Sequence, residues 1–182
     1  LEKHAMAKFG FRSKGGASFS RTATYVSENI FLPTMGDVRF AANLAGLGAA
    51  SAIKIRQVSL KVSKNVEDDR ALGDANQQDI LNRQFQVEGE ITLVYDDQSY
   101  VTNLNGNTAQ ALRVDLTNTG VTIGSTSNPR VRFELAKVLL EEVSRSFGKG
   151  DIVLQTLKFK GFYSESDSSM ISAVLRNTVA SY

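Results

Sequence analysis

Two glutamates, Glu88 and Glu90, stand two residues apart in the segment QFQVEGEITLVYDD. Residues spaced by two share one face of a strand, and paired carboxylates are the equipment of a glycosidase. That chemistry also calls for a carbohydrate cleft with aromatic platforms, and the chain has no Trp. A polar sheet face is the better reading. Five more acids, Glu67, Asp68, Asp69, Asp74 and Asp79, crowd one segment. Acids do not alternate ahead of Gly73 as a calcium loop requires, so a solvated or intersubunit loop fits better than a Ca²⁺ site. Gly46-x-Gly48-x-x-Ser51 resembles a dinucleotide fingerprint, yet a strand follows it where a helix is needed. Gly148-Lys149-Gly150 lacks the upstream Gly and the Ser or Thr of a phosphate loop, and reads as a β-turn. His4 is the only histidine, and it lies in a terminal stretch, so a Ser-His-Asp arrangement has no credible base. No catalytic residue, metal or cofactor is expected. On these motifs the chain is not expected to be an enzyme.

The elements that carry these residues follow from a period of two. Gln84, Gln86, Glu88, Glu90 and Thr92 fall on one face of a long strand, and Phe85, Val87, Ile91, Leu93 and Tyr95 on the other. Residues 53–63 alternate too, but Ile53 and Ile55 are out of phase with Val58, Leu60 and Val62, which predicts a bulge near Arg56 or Gln57. Arg130, Arg132 and Glu134 alternate with Val131, Phe133 and Leu135. Thr156, Lys158 and Lys160 alternate with Leu157, Phe159 and Gly161. Leu112, Val114 and Leu116 make a shorter strand, and Asn118-Thr119-Gly120 is expected to turn into another at residues 121–123. Residues 173–180 form the last strand. The one candidate helix spans residues 100–110. The fold class is therefore mainly β, an antiparallel β-sandwich or barrel with one short α-helix. Its core is expected to hold Phe85, Val87, Ile91, Leu93, Val131, Phe133, Leu135, Leu157 and Phe159.

The chain has 182 residues, 42% of them hydrophobic, enough for one domain with a core. It has no cysteine, which excludes disulfides and thiolate metal sites. No run of roughly 18 apolar residues is present, so no membrane span is expected. Charge is uneven. Residues 1–61 hold nine Lys and Arg against three acids, and residues 67–97 hold nine acids against two Arg. Clumped charge is common in soluble proteins, and unlike patches also steer subunits together. Residues 8–20 are rich in Gly, Ser and basic groups, with three interleaved Phe. Such a stretch suits either an RNA-binding tail or an arm that orders against a neighbouring subunit, and the arm is preferred. Residues 25–40 are apolar enough to dock and to hold a strand. Residues 41–52 read as a short helix or a linker. The expected division is an arm and linker over residues 1–50, with residues 1–5 a non-native remnant ahead of Met6, and a β-domain over residues 51–182.

Taken in order, these pieces resemble the tail tube proteins of long-tailed bacteriophages. The resemblance covers roughly residues 50–182. It rests on the loop NVEDDRALGDANQQDI, the strand VEGEITLVYDD with its mid-strand glycine, the helical stretch QSYVTNLNGNTAQ, the run RVRFELAKVLLEE…GKGD…TLKFKGFYSES and the closing strand ISAVLRNTVASY. It implies a tail-tube-like sandwich or barrel whose copies form a ring, usually a hexamer, with rings stacked into a tube in the virion. Double-stranded DNA would pass through without specific binding, a tape-measure protein would occupy the lumen beforehand, and tail-completion proteins would sit at the tube ends. Assembly would take place in the host cytoplasm. Many tail tube proteins have more sequence ahead of the region equivalent to Ile53, so a truncated piece or a small member is expected.

Within that reading, the lumen face is expected to hold Gln84, Gln86, Glu88, Glu90 and Thr92 with Lys158 and Lys160. An intersubunit loop would hold Glu67, Asp68, Asp69, Arg70, Leu72, Gly73 and Asp74. An intersubunit arm would hold Lys8, Phe9, Arg12, Lys14, Phe19 and Arg21. Two other classes fit less well: a tail terminator or secretion-tube protein on a similar fold, and a carbohydrate-binding β-sandwich.

Overall fold

The computed structural model describes residues 30–69, 72 and 79–178. These contain nine strands: β1 (Gly36–Ala41), β2 (Ile55–Ser63), β3 (Glu67–Asp69), β4 (Asp79–Leu81), β5 (Gln86–Val94), β6 (Gln110–Thr117), β7 (Arg130–Ser146), β8 (Leu154–Phe162) and β9 (Ile171–Arg176). Helix α1 (Ser99–Asn105) separates β5 from β6, and 3-10 turns occupy Pro33–Met35 and Ala45–Gly48. Seven strands form one antiparallel sheet in the order β1-β6-β7-β8-β5-β2, with β9 added to β7, while β3 and β4 pair with each other. The sheet curls into a half-barrel.

One strand organises the sheet. The first half of β7 lies between β6 and β9, and its second half pairs with β8. Two register shifts put an extra residue into β7, one between Leu135 and Val138 and one at Glu141. The first bulge restores the apolar phase so that Val138 and Leu140 reach the core with Leu135, the second so that Val143 packs against it, and each bends and twists the strand. A third shift falls between Ile55 and Gln57 in β2, where the phase slip in the sequence puts it.

The core gathers Val38, Val87, Ile91, Leu93, Leu112, Leu135, Val138, Leu157 and Phe159, with Tyr100 and Leu104 of α1 packed against it. Gly89 stands opposite Phe159 across the β5–β8 ladder. A Cβ there would collide with the Ser59 carbonyl oxygen and the Phe159 ring, so the mid-strand glycine is what leaves room for the ring against β5. Residues 36–50 belong to the same fold, because β1 pairs with β6 and Leu47 is wholly buried. The division expected at residue 50 therefore runs between parts of one sheet.

Several expectations are corrected. Phe85 is exposed rather than buried, because β5 starts at Gln86. Val131 and Phe133 are half-buried; they face the core side, but their neighbour β9 is an outer strand with most of its residues exposed. Residues 121–123 form no strand, only a bridge from Ile123 to Ser127. The helix is shorter than expected: it ends at Gly106, and Asn107 turns the chain with a positive φ. Gly148-Lys149-Gly150 is a β-turn as read, closed by Asp151 N–H on Gly148 C=O, with Gly150 at φ 83°. The last strand starts at Ile171 and ends at Arg176, and residues 179 and 180 lie outside the described residues.

Phe159→Ala should destabilise the fold by about 3–5 kcal/mol, the usual cost of emptying a buried aromatic site. Gly89→Ala should also destabilise, although alanine has the better intrinsic fit to a strand interior. Denaturant titration of both variants checks this; a neutral Gly89→Ala would show that the ring has room to move.

Candidate functional site

Four neighbouring strand segments present one continuous polar face. Alternation turns Val87, Gly89, Ile91 and Leu93 of β5 inward and leaves Gln86, Glu88, Glu90 and Thr92 on the other side. The register lines these up with their neighbours. Glu88 stands between Lys61 of β2 and Lys160 of β8. Glu90 stands between Ser59 and Lys158, and Lys158 in turn faces Glu142 of β7. Thr92 stands between Gln57 and Thr156, followed by Ser144. Two of the three rows thus alternate in charge, and the third is neutral.

The closest ion pairs are Lys61–Glu88 at 2.6 Å, Lys158–Glu142 at 2.7 Å and Lys160–Glu141 at 3.9 Å. Gln86 Nε2 donates to Glu88 at 2.8 Å, and the Thr92 and Thr156 hydroxyls meet at 3.4 Å. The hydrogen bond from Lys61, followed by its charge, holds the Glu88 carboxyl below its ordinary range. The hydrogen bond to Glu142, followed by its charge, raises the Lys158 ammonium. Three lysines and four glutamates leave this face with a net charge of −1. Exposed pairs of this kind contribute little to stability. Their consequence is a wall of alternating, nearly cancelling charge.

On β1, β6 and the first half of β7 the same non-core side of the sheet carries a second network. Asp115 is almost wholly buried and accepts from both Nε and Nη2 of Arg132, at 2.8 and 2.6 Å. Arg130 approaches it at 3.5 Å. Arg113 bonds Glu134 and the Leu47 carbonyl, and Arg39 bonds Asp37 and the carbonyls of Gly48 and Ala50. These guanidiniums tie the turn at residues 45–50 down onto the sheet.

Of the residues singled out beforehand, Gln86, Glu88, Glu90, Thr92, Lys158 and Lys160 share the first face. Gln84 does not: it precedes β5, where its carbonyl accepts from Asn65 Nδ2. Lys61, Glu141 and Glu142 complete the face and were missed. Lys61 follows in phase with Ser59 and Gln57 once the bulge is allowed for, whereas the bulge at Glu141 gave no such signal. Residues 65–80 were expected to be a loop; Glu67, Asp68 and Asp69 instead form β3, paired with β4 as a hairpin at the end of β2 and β5. Glu67 meets Arg83 at 3.1 Å, and Leu72 is fully exposed. Arg70, Gly73 and Asp74, and the arm residues Lys8, Phe9, Arg12, Lys14, Phe19 and Arg21, lie outside the described residues. Among the described residues no cluster of His, Asp and Glu could hold a metal ion, and no helix is long and apolar enough to cross a membrane.

Residues 6–161 match the sequence profile of a family described as phage tail tube protein. The chain belongs to the phage tail tube protein family. The family is structural, and its members are components of the virion that self-assemble into the tail tube. No curated protein matches the chain in sequence. Among solved structures, the fold is similar to the sheath/tube terminator of an extracellular contractile injection system, PVC, in its extended state. The TM-score is 0.57 at 11% identity, over 82% of this chain and 99% of the other. It is also similar to the tube-terminating cap of the anti-feeding prophage, with TM-score 0.55 and 10% identity over 87% and 100% of the two chains. For the SPP1 tail tube the values are 0.51 and 12% over 71% and 74%. At such identities the likeness establishes the fold.

The direction of each shift sets how the tail tube face responds to pH. The Glu88 contribution is present above the ordinary carboxylate range and is lost as pH falls through its depressed value. The Lys158 contribution is present below the ordinary lysine pKa and is lost as pH rises through its raised value. Lys61→Met should move the Glu88 titration upward, toward that of a free carboxyl, in a carbon-detected NMR titration. An unmoved Glu88 would show that Lys61 is not the cause of the shift.

Proposed function

We propose that copies of this chain close into a ring, a hexamer, that rings stack into the tail tube, and that the face carried by β2, β5, β8 and the second half of β7 lines its lumen. The observation that supports this best is the charge alternation across the four strands. A conduit must pass DNA without holding it, and each unmatched Lys or Arg on its wall would add salt-dependent affinity for phosphate. On this face Lys61 and Lys158 each make a close ion pair with a glutamate, and Lys160 a longer one. The wall is therefore close to neutral and slightly acidic. At physiological salt the Debye length is about 8 Å, so what the duplex meets near the wall is this local balance rather than the charge of the whole protein.

The same tube would hold a tape-measure protein until ejection and meet tail-completion proteins at its ends. Its assembly would take place in the host cytoplasm. The acidic hairpin β3–β4 would contact a neighbouring ring, and the basic arm at residues 8–21 would reach another subunit. Opposite signs on these two segments would steer copies together.

Glu88→Lys with Glu90→Lys adds four positive charges and turns the net −1 of the face into +3. Tubes should still form, while DNA ejection from particles carrying the variant should slow or stop, with a strong dependence on salt. Normal ejection, or a tube map with these residues on the outside, would show the face to be misassigned. Deleting residues 68–74 should leave a folded protein that no longer makes tubes; unchanged tube formation would refute the role of the hairpin.

A further inference from the structure

Residues paired across a ladder share one face, so the register carries rows of charge over the non-core side of β1, β6, β7 and β9. One row runs from Asp37 through Asp115 to Arg132, another from Arg39 through Arg113 to Glu134, and a third from Thr117 through Arg130 to Arg176. A polar cavity of about 360 Å³ opens among them, and Arg39, Arg113, Arg130, Arg132, Asp37 and Asp115 all line it. Four guanidiniums thus meet two carboxylates, a surplus of two positive charges. Glu134, bonded to Arg113, and Arg176, beside Arg130, add one charge of each sign and leave that surplus unchanged.

The ties to residues 45–50 do not use all of these groups. Arg130 is held through Nε alone, which donates to Thr117 Oγ1 at 2.9 Å and lies 3.5 Å from Asp115. Among the described residues neither of its Nη atoms has an acceptor, and Arg176, its partner across the β7–β9 ladder, has no ion pair. Like charges set directly opposite each other destabilise a ladder. On β1, Asp37 engages Arg39 through Oδ2, while its Oδ1 is buried without a donor. A buried acceptor left unmet costs free energy. One cavity therefore holds free donors on the β7 side and a free acceptor on the β1 side.

We propose that this cavity binds inorganic phosphate. Arg130, with Arg176 beside it, donates to two phosphate oxygens, and the phosphate hydroxyl donates to Asp37 Oδ1. The planar fork of a guanidinium suits an oxyanion, because it makes two parallel N–H···O bonds. The two negative charges of hydrogenphosphate match the surplus on the wall. Asp37 supplies the selectivity. Phosphate keeps a proton at neutral pH, whereas sulfate has none and would set an oxygen against the unmet carboxylate oxygen. The phosphodiester of duplex DNA has no such proton either, so the site does not recognise DNA. The site stands apart from the proposed lumen face and does not rest on the tube reading.

Melting curves of the full chain, taken at constant ionic strength, test this. About 10 mM phosphate should raise the melting temperature by roughly 3–6 °C, as expected for a dissociation constant of about 1 mM. Sulfate should leave it nearly unchanged. Equal shifts from the two anions would reduce the effect to general screening and overturn the site, and so would no shift at all. Arg130→Met should abolish the phosphate shift, each variant being compared with itself in phosphate-free buffer so that loss of the Thr117 bond does not enter. Arg176→Met removes a side chain that the network does not use. It should cut the shift by half or more while leaving the melting temperature in phosphate-free buffer unlowered. A full shift in both variants would overturn the site. Asp37→Asn places an amide donor where the carboxylate accepted, so sulfate should then stabilise as well as phosphate does. A variant that still prefers phosphate would overturn the selectivity assigned to Asp37.

Discussion

The seventeen residues of β7 cross both halves of the sheet, so their side chains must stay in phase with two different sets of neighbours. A strand alternates with period two, and a long one twists steadily out of line with its partners. In β7 the two extra residues reset the phase twice, between Leu135 and Val138 and again at Glu141. Without the first, Val138 and Leu140 would point into solvent, and Gly161 and Phe159 of β8 would lose the neighbours they pack beside. Without the second, Glu142 would turn inward and Lys158 would lose its partner. The same insertions bend the strand, which is how one antiparallel sheet wraps round a single core instead of lying flat.

Along the outer side of this sheet the two polar faces differ in character. On β1, β6 and the first half of β7, guanidiniums are fixed by two or more acceptors each, and Asp115 is nearly enclosed. Removing one partner from such a network costs far more than removing both, so that face acts as a clamp on residues 45–50. On β2, β5, β8 and the second half of β7 the pairs are exposed, single and spaced at strand distance. They hold little free energy and much pattern. One face stabilises the subunit, and the other sets the electrostatic character of a surface.

Where apolar and polar residues alternate without a slip, the sequence already showed the strand and its faces: Val87 to Leu93 with Glu88 and Glu90, and Leu157 and Phe159 with Lys158 and Lys160. The slip at Ile55 was readable because apolar residues lie on both sides of it. The slip at Glu141 was not, since AKVLLEEVS has no unique phase. Phe85 and Phe133 show a second limit. Alternation states which face a side chain takes, but not whether another layer covers it, and that depends on where β5 starts and on what flanks β9. The Asp115 network was hidden for a third reason. Its strand was recognised by Leu112, Val114 and Leu116, and their polar alternates Arg113 and Asp115 gain meaning only when β1 brings Arg39 and β7 brings Arg130 and Arg132 alongside.

Alternation also explains how a fold of this kind keeps its shape at 10–12% identity to the tube and terminator structures it matches. A curled sheet asks each position for a class of side chain, apolar within or polar without, and most residues of a class will serve. Few positions demand an identity. Gly89 is one, because the Phe159 ring occupies the space of any Cβ. Lys61 and Glu88 are not positions of that kind: a swap of the two would preserve the alternation and the core alike. The row of charges is thus free to change sign pattern without touching the fold. Its near-neutral balance is then a property of the surface these strands present, and not a by-product of holding the sheet together.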